Sequence, residues 1–150
     1  MRTAGAGTDV PLAPAAALAL WADVSRWPSF VEGFARLVEN DPGWPAPDAR
    51  LVWESVPAGR GRVTEKVVES SEDRIATMVF EERLAGRQEF RVAPGPRGAA
   101  VELSLEYTLN KYGPLGVVAD ALFIRRAIRD SLRRTLFRFG VEAEEEAGLR

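Results

Sequence analysis

The sequence predicts an α+β domain in which a curved antiparallel sheet of six to seven strands wraps round one long C-terminal helix, with two short helices after the first strand. Three observations predict it. Residues 35–110 break into short alternating segments divided by turn residues, the period then becomes helical and holds to about Glu146, and a proline-initiated run rich in alanine and leucine precedes both. At 150 residues the chain is long enough to bury roughly 70% of its unfolded surface around one core, so residues 1–150 are read as a single domain.

Pro14 suits the first turn of a helix, where its missing N–H costs nothing, and the run to Trp21 has high helix propensity; a helix over about 14–22 follows. Asp23-Val24-Ser25 ends it. Ser29 and Glu32 have capping-box spacing, Trp27 and Phe30 anchor a second helical turn, and Gly33 closes it. Turn residues at Asp41-Pro42-Gly43, Pro57-Ala58-Gly59, 70–73, Ala85-Gly86 and 94–98 then divide candidate strands at 35–39, 50–56, 62–69, 74–84, 88–92 and 100–110. Connections this short make hairpins.

The last strand alternates most clearly. Val101, Leu103, Leu105, Tyr107 and Leu109 share one face and Glu102, Ser104, Glu106, Thr108 and Asn110 the other. Leu51 and Trp53 oppose Arg50 and Glu54 in the same way, and Gln88, Phe90 and Val92 oppose Glu89 and Arg91. For the strand at 74–84 the alternation does not choose: Ala76, Met78 and Phe80 compete with Ile75, Thr77 and Val79 for the interior, and we place Met78 and Phe80 among the lining residues. At 100° per residue, Val117, Val118, Ala121, Ile124, Ile128, Leu132, Leu136 and Phe139 make one apolar stripe facing the sheet. Six arginines between Arg125 and Arg138 lie mostly on the opposite, solvated face, offset by Asp130 and the Glu142, Glu144, Glu145 and Glu146 tail.

Composition narrows the function. A hydrophobic fraction of 46% and a charged fraction of 28% are those of a globular chain. A net charge of −2 argues against neutralising phosphates over a whole face, and so against a nucleic-acid partner. The chain has no cysteine and no histidine, which excludes thiolate chemistry, His-dependent triads and the usual zinc sites; no metal is expected. The apolar run at 13–22 follows a single early arginine and passes into Asp23 without a cleavage region, so we read it as a helix and expect a cytoplasmic protein without membrane insertion.

The element order is matched by local wording. Ala13-Pro14 before the first helix, Asp23-Val24-Ser25-Arg26-Trp27-Pro28-Ser29-Phe30 after it, and Leu109-Asn110-Lys111-Tyr112-Gly113-Pro114-Leu115-Gly116 leading into Leu122-Phe123 and an arginine-rich helix resemble recurring phrases of the START-like superfamily, the SRPBCC or polyketide cyclase/dehydrase and lipid-transport group. The resemblance covers nearly the whole chain and implies the helix-grip fold. It also implies a cavity between sheet and helix that binds a small hydrophobic molecule such as a lipid, quinone or polyketide-like aromatic. The alternative it carries is cyclase, aromatase or dehydratase chemistry on a poly-β-carbonyl or aromatic substrate. No cofactor follows from either, and a homodimer is left open. The chain departs from the group at 3–9, where the first strand belongs: the segment is glycine-rich and poor in β-formers, so a short or frayed strand is expected there.

The ligand-lining candidates are Trp53, Met78, Phe80, Phe90, Leu103, Leu105, Tyr107, Arg125 and Ile128. The residues alone favour a filled core over a cavity; the resemblance reverses that preference for the set. Tyr107 offers a hydroxyl to a ligand carbonyl or to backbone, and Arg125, at the edge of the apolar stripe, offers its guanidinium to a ligand anion or to solvent. Glu65, Glu81 and Glu82 interrupt strand-like runs and include candidates for an inward carboxyl whose burial fits it to proton transfer. Trp27 and Trp44 are read as lids at loop positions. No catalytic residue is assigned.

Overall fold

The computed structural model describes residues 2–110 and 117–148, with side chains in the second segment from residue 122 onward. Seven antiparallel strands form one sheet: β1 (Arg2–Val10), β2 (Phe34–Asn40), β3 (Arg50–Ser55), β4 (Arg62–Ser70), β5 (Arg74–Phe80), β6 (Leu84–Gly95) and β7 (Gly98–Leu109). Their order across the sheet is β1-β7-β6-β5-β4-β3-β2, so β2 to β7 form a meander and β1 closes onto its last strand. The helices α1 (Pro14–Ala22) and α2 (Trp27–Phe30) and the long α3 (Val117–Glu146) lie against one face of this sheet. The predicted α+β helix-grip architecture is the observed one.

Strand β1 corrects the expectation of a frayed start. All nine of its residues pair with β7, from Arg2 opposite Tyr107 to Val10 opposite Ala99. Its weak β propensity is overridden by that ladder and by packing, since strand propensity mostly reflects fit to neighbours. The inward residues Ala4 and Ala6 are small, and α3 makes its closest backbone approach to the sheet along this strand.

A second correction concerns β5. Ile75 and Val79 join the core and Thr77 is buried beside Glu65. Met78 and Phe80 therefore stand on the outer face, and Phe80 is 48% exposed. A third is the hairpin between β5 and β6, which turns at 81–83, not at Ala85-Gly86. Gly86 is a strand residue opposite Tyr107, where a Cβ would lie 2.2 Å from the Glu106 carbonyl oxygen. Glycine marks close backbone approach there, which is its other meaning within a strand. Fourth, Ser29 is not an N-cap. Asp23 accepts the Ser25 N–H at 3.1 Å and starts a 3₁₀ turn, Val24–Arg26, that runs directly into α2.

The core is aromatic. Trp21 of α1 stacks on Phe90 of β6 with centroids 4.5 Å apart, and Trp27, Phe30 and Phe139 surround it at 5.6, 5.7 and 6.2 Å. From the predicted α3 stripe, Leu132, Leu136 and Phe139 are buried and Ile128 packs partly against the core; the side chains of Val117, Val118 and Ala121 lie outside the described residues. The acidic end of α3 opposes its own helix dipole, and Arg26 compensates. Its Nε donates to Glu142 Oε2 at 3.1 Å and its Nη1 to Glu146 Oε2 at 3.0 Å. Among the described residues, no helix is long and apolar enough to cross a membrane.

Candidate functional site

The helix does not fill the sheet's concave side. A cleft of about 690 Å³ remains between the first half of α3 and the far end of the meander. Ile124, Ile128 and Leu132 of α3 wall it on one side, Leu84 and Leu105 of the sheet on the other, and the β3–β4 loop (58–60) and the β5–β6 turn border its rim. Deeper, a void of about 20 Å³ lies under Trp21, Trp27, Trp53 and Leu103, room for roughly one water. Arg60, Gln88, Ser131 and Leu132 line both spaces, so together they form the neck between void and cleft.

Glu65 is the void's polar floor. On β4 it takes the inward position between Val63 and Val67, which are fully buried, and it is itself 3% exposed. Trp53 Nε1 donates to its Oε2 at 2.8 Å, and Thr77 Oγ1 lies 3.0 Å from its Oε1. Burial pushes the Glu65 carboxyl above the usual range; the Trp53 bond, the Arg60 charge and the Thr77 bond oppose this, while Glu81 reinforces it. A neutral Glu65 keeps both contacts, since a proton on Oε1 would be donated to Thr77 Oγ1 while Oε2 continues to accept from Trp53.

Arg60 comes from the tight turn between Gly59 and Gly61, where Gly61 has φ +77°. Its Nε donates to Glu81, whose side chain is nearly buried, and its guanidinium carbon lies 5.2 Å from the Trp53 ring centroid. Its Nη groups, the Gln88 amide and the Ser131 hydroxyl make no hydrogen bond to any described residue. Three donor groups therefore line the neck without a partner among the described residues.

The sequence candidates fall into four groups. Leu105 and Ile128 line the cleft, and Trp53 and Leu103 line the void. Phe90 and Tyr107 are fully buried, the first stacked under Trp21 and the second opposite Gly86; neither borders these two spaces. Arg125 is exposed on α3 and away from the neck, and Met78 and Phe80 are on the sheet's outer face. Of the three glutamates, Glu65 points inward, Glu81 pairs with Arg60, and Glu82 is exposed on the cleft rim. Trp27 is a core residue whose Nε1 donates to the Trp21 carbonyl at 2.7 Å, and Trp44 donates likewise to Ala22 at 3.0 Å. Arg60 and Gln88 escaped the sequence reading. Gln88 had a signal, a polar residue in phase with Phe90 and Val92; Arg60, in a turn, had none.

A family model described as polyketide cyclase/dehydrase and lipid transport matches residues 2–144. No curated protein sequence matches the chain. Among solved structures, the protein TTHA0849 from Thermus thermophilus superposes with a TM-score of 0.79 at 16% identity, covering 97% of this chain and 99% of that one. The di-domain ARO/CYC StfQ of the steffimycin biosynthetic pathway gives 0.77 at 19% identity, over 97% of this chain and 51% of its own. A point mutant of Thalictrum flavum norcoclaurine synthase, in complex with a transition-state analogue, gives 0.70 at 14% identity over 97% and 96%. At these identities the likeness is one of fold.

Proposed function

The chain belongs to the polyketide cyclase/dehydrase and lipid-transport family, and from that premise we propose that it binds a small hydrophobic molecule, a lipid, quinone or polyketide-like aromatic, in the cleft between sheet and α3. The cleft itself carries the reading: about 690 Å³ is within the usual size of a small-molecule site, and Leu84, Leu105, Ile124, Ile128 and Leu132 give it an apolar wall beside a charged rim. Burying ~300 Å² of ligand at ~25 cal/mol/Å² yields a gross ~7 kcal/mol, which sets a ceiling near ~10 μM before association costs are subtracted, so tight binding requires polar contacts besides apolar burial. The reading calls on no cofactor.

Ile128→Arg tests it. Ile128 lines the cleft and is only partly buried, so the new side chain occupies the site with its stem while its head reaches solvent. Nile red titrated into the wild type is expected to bind measurably, and at least about tenfold more weakly to the variant, with little change in melting temperature. Undiminished binding by the folded variant counts against the cleft.

Cyclase or dehydratase chemistry is the second reading, favoured by one observation: a buried carboxyl with raised proton affinity floors the void below the neck, within the electrostatic reach of the Arg60 guanidinium. Glu65 supplies the proton through a water in the void, and Arg60, at the neck, stabilises developing charge on a carbonyl oxygen, roles that neither Tyr107 nor Arg125 is placed to fill. With a poly-β-carbonyl substrate, Glu65→Gln is expected to keep binding and to lower turnover by roughly a hundredfold or more. Equal turnover by the variant discards this reading and leaves the binding one intact.

A further inference from the structure

We propose that the neck of the cleft selects ligands presenting a neutral carbonyl oxygen over those presenting a carboxylate, with Arg60, Gln88 and Ser131 as the hydrogen-bond donors. The inference rests on the cavity reading above and names what the cavity recognises. Its first ground is the donor set. Arg60 is fixed at Nε by Glu81 and lies near the Trp53 ring, so its Nη groups are oriented before any ligand arrives. The Gln88 amide and the Ser131 hydroxyl border the same two spaces with no described partner. A carbonyl oxygen has two lone pairs and is satisfied by two such donors.

The second ground is charge. Among the described residues, the ionisable groups lining the two spaces are Arg60, Arg83 and Arg134, which are basic, and Glu32, Glu65, Glu81 and Glu82, which are acidic. Glu81 holds Arg60, and Glu32 holds Arg134 at 2.6 Å. Arg83 and Glu82, adjacent at the rim, oppose each other in sign. With Glu65 neutral these described groups sum to no net charge, and with Glu65 ionised they are negative. A ligand carboxylate entering the neck would lose its hydration and meet a guanidinium already shared with Glu81, a poor exchange for a buried charge. A ketone, ester or quinone oxygen gives up far less water and gains the same donors. Its hydrocarbon body then lies along Leu105, Ile124 and Ile128.

Three dyes sharing one aminonaphthalene ring separate the cases at neutral pH: prodan, which carries an acyl ketone; the matching naphthoic acid; and the bare ring. Fluorescence titration of the wild type is expected to show prodan binding about tenfold more tightly than the bare ring, with the naphthoate no tighter than the bare ring. Gln88→Leu should reduce the ketone preference severalfold and Arg60→Met should abolish it, while both retain the bare ring. Gln88→Leu leaves Glu81 paired, so it reads the effect even if Arg60→Met unfolds. The tightest binding by the naphthoate, or a ketone preference that survives both substitutions, overturns the proposal. Failure of all three dyes to bind the folded wild type would instead remove the cavity reading on which it stands.

Discussion

Alanine at position 21 is expected to cost the fold about 4 kcal/mol, a large share of the 5–15 kcal/mol available to a domain of this size. Trp21 is 4% exposed and joins four elements. Its ring lies 2° from parallel with Phe90 of β6 and within 6.2 Å, centroid to centroid, of Trp27, Phe30 and Phe139. Each neighbour has other commitments: Trp27 donates to the Trp21 backbone carbonyl, Phe30 and Phe139 make an edge contact at 5.1 Å, and Phe90 is pinned within the β6–β7 ladder. None can collapse into the vacated volume without giving up packing elsewhere, so the penalty lies near the upper end of large-to-small substitutions. Urea denaturation measures it, with Trp44→Phe as the comparison. Trp44 is half-buried and its indole bond is to a backbone carbonyl at the end of α1, so its loss should cost roughly 1 kcal/mol. A Trp21→Ala cost below that of Trp44→Phe would show that the aromatic cluster does not bind helices to sheet.

What was legible in the sequence was whatever one period decides alone. β7 buries Val101, Leu103, Leu105 and Tyr107 as its alternation requires, and α3 buries Leu132, Leu136 and Phe139 from its stripe. Strand β5 was ambiguous because both faces are apolar: Ala76 is as buried as Ile75, yet lies on the outer side. Only pairing with β4 decides between them, by setting Thr77 beside Glu65. Local chemistry misled where a residue has two meanings. Gly86 signals a turn in isolation, but in the sheet it makes room for the Glu106 carbonyl. Arg125 has the right helical phase for a ligand contact, but the cleft is walled by Ile124 and Ile128 on either side of it. The neck and the void below it were least legible, being assembled from a turn, several strands and the helices. Gln88 left a trace, a polar residue in phase with Phe90 and Val92, and Glu65 left another, a carboxyl in phase with Val63 and Val67.

That trace leads to a sharp expectation for stability against pH. Burial raises the Glu65 carboxyl above its value in the unfolded chain, so between those two values the folded protein holds a proton that the unfolded chain has released. Raising the pH through that window therefore favours unfolding, by up to about 1.4 kcal/mol for each pH unit, and the loss levels off once Glu65 ionises in the folded state too. Glu54, next to Arg62 and Arg36, and Asp73, next to Arg74, have lowered values and act in the opposite sense, losing their contribution as the pH falls. They are unchanged by substitution at 65, so comparing wild type with Glu65→Gln removes them. The variant has the shape of the neutral acid and can still accept from Trp53, but it cannot ionise. Its melting temperature is expected to match the wild type near pH ~4 and to exceed it progressively above the carboxylate range. A difference that does not change with pH would show that Glu65 titrates alike in the folded and unfolded chains, and would take with it both the neutral void beneath the neck and the proton that the catalytic reading requires.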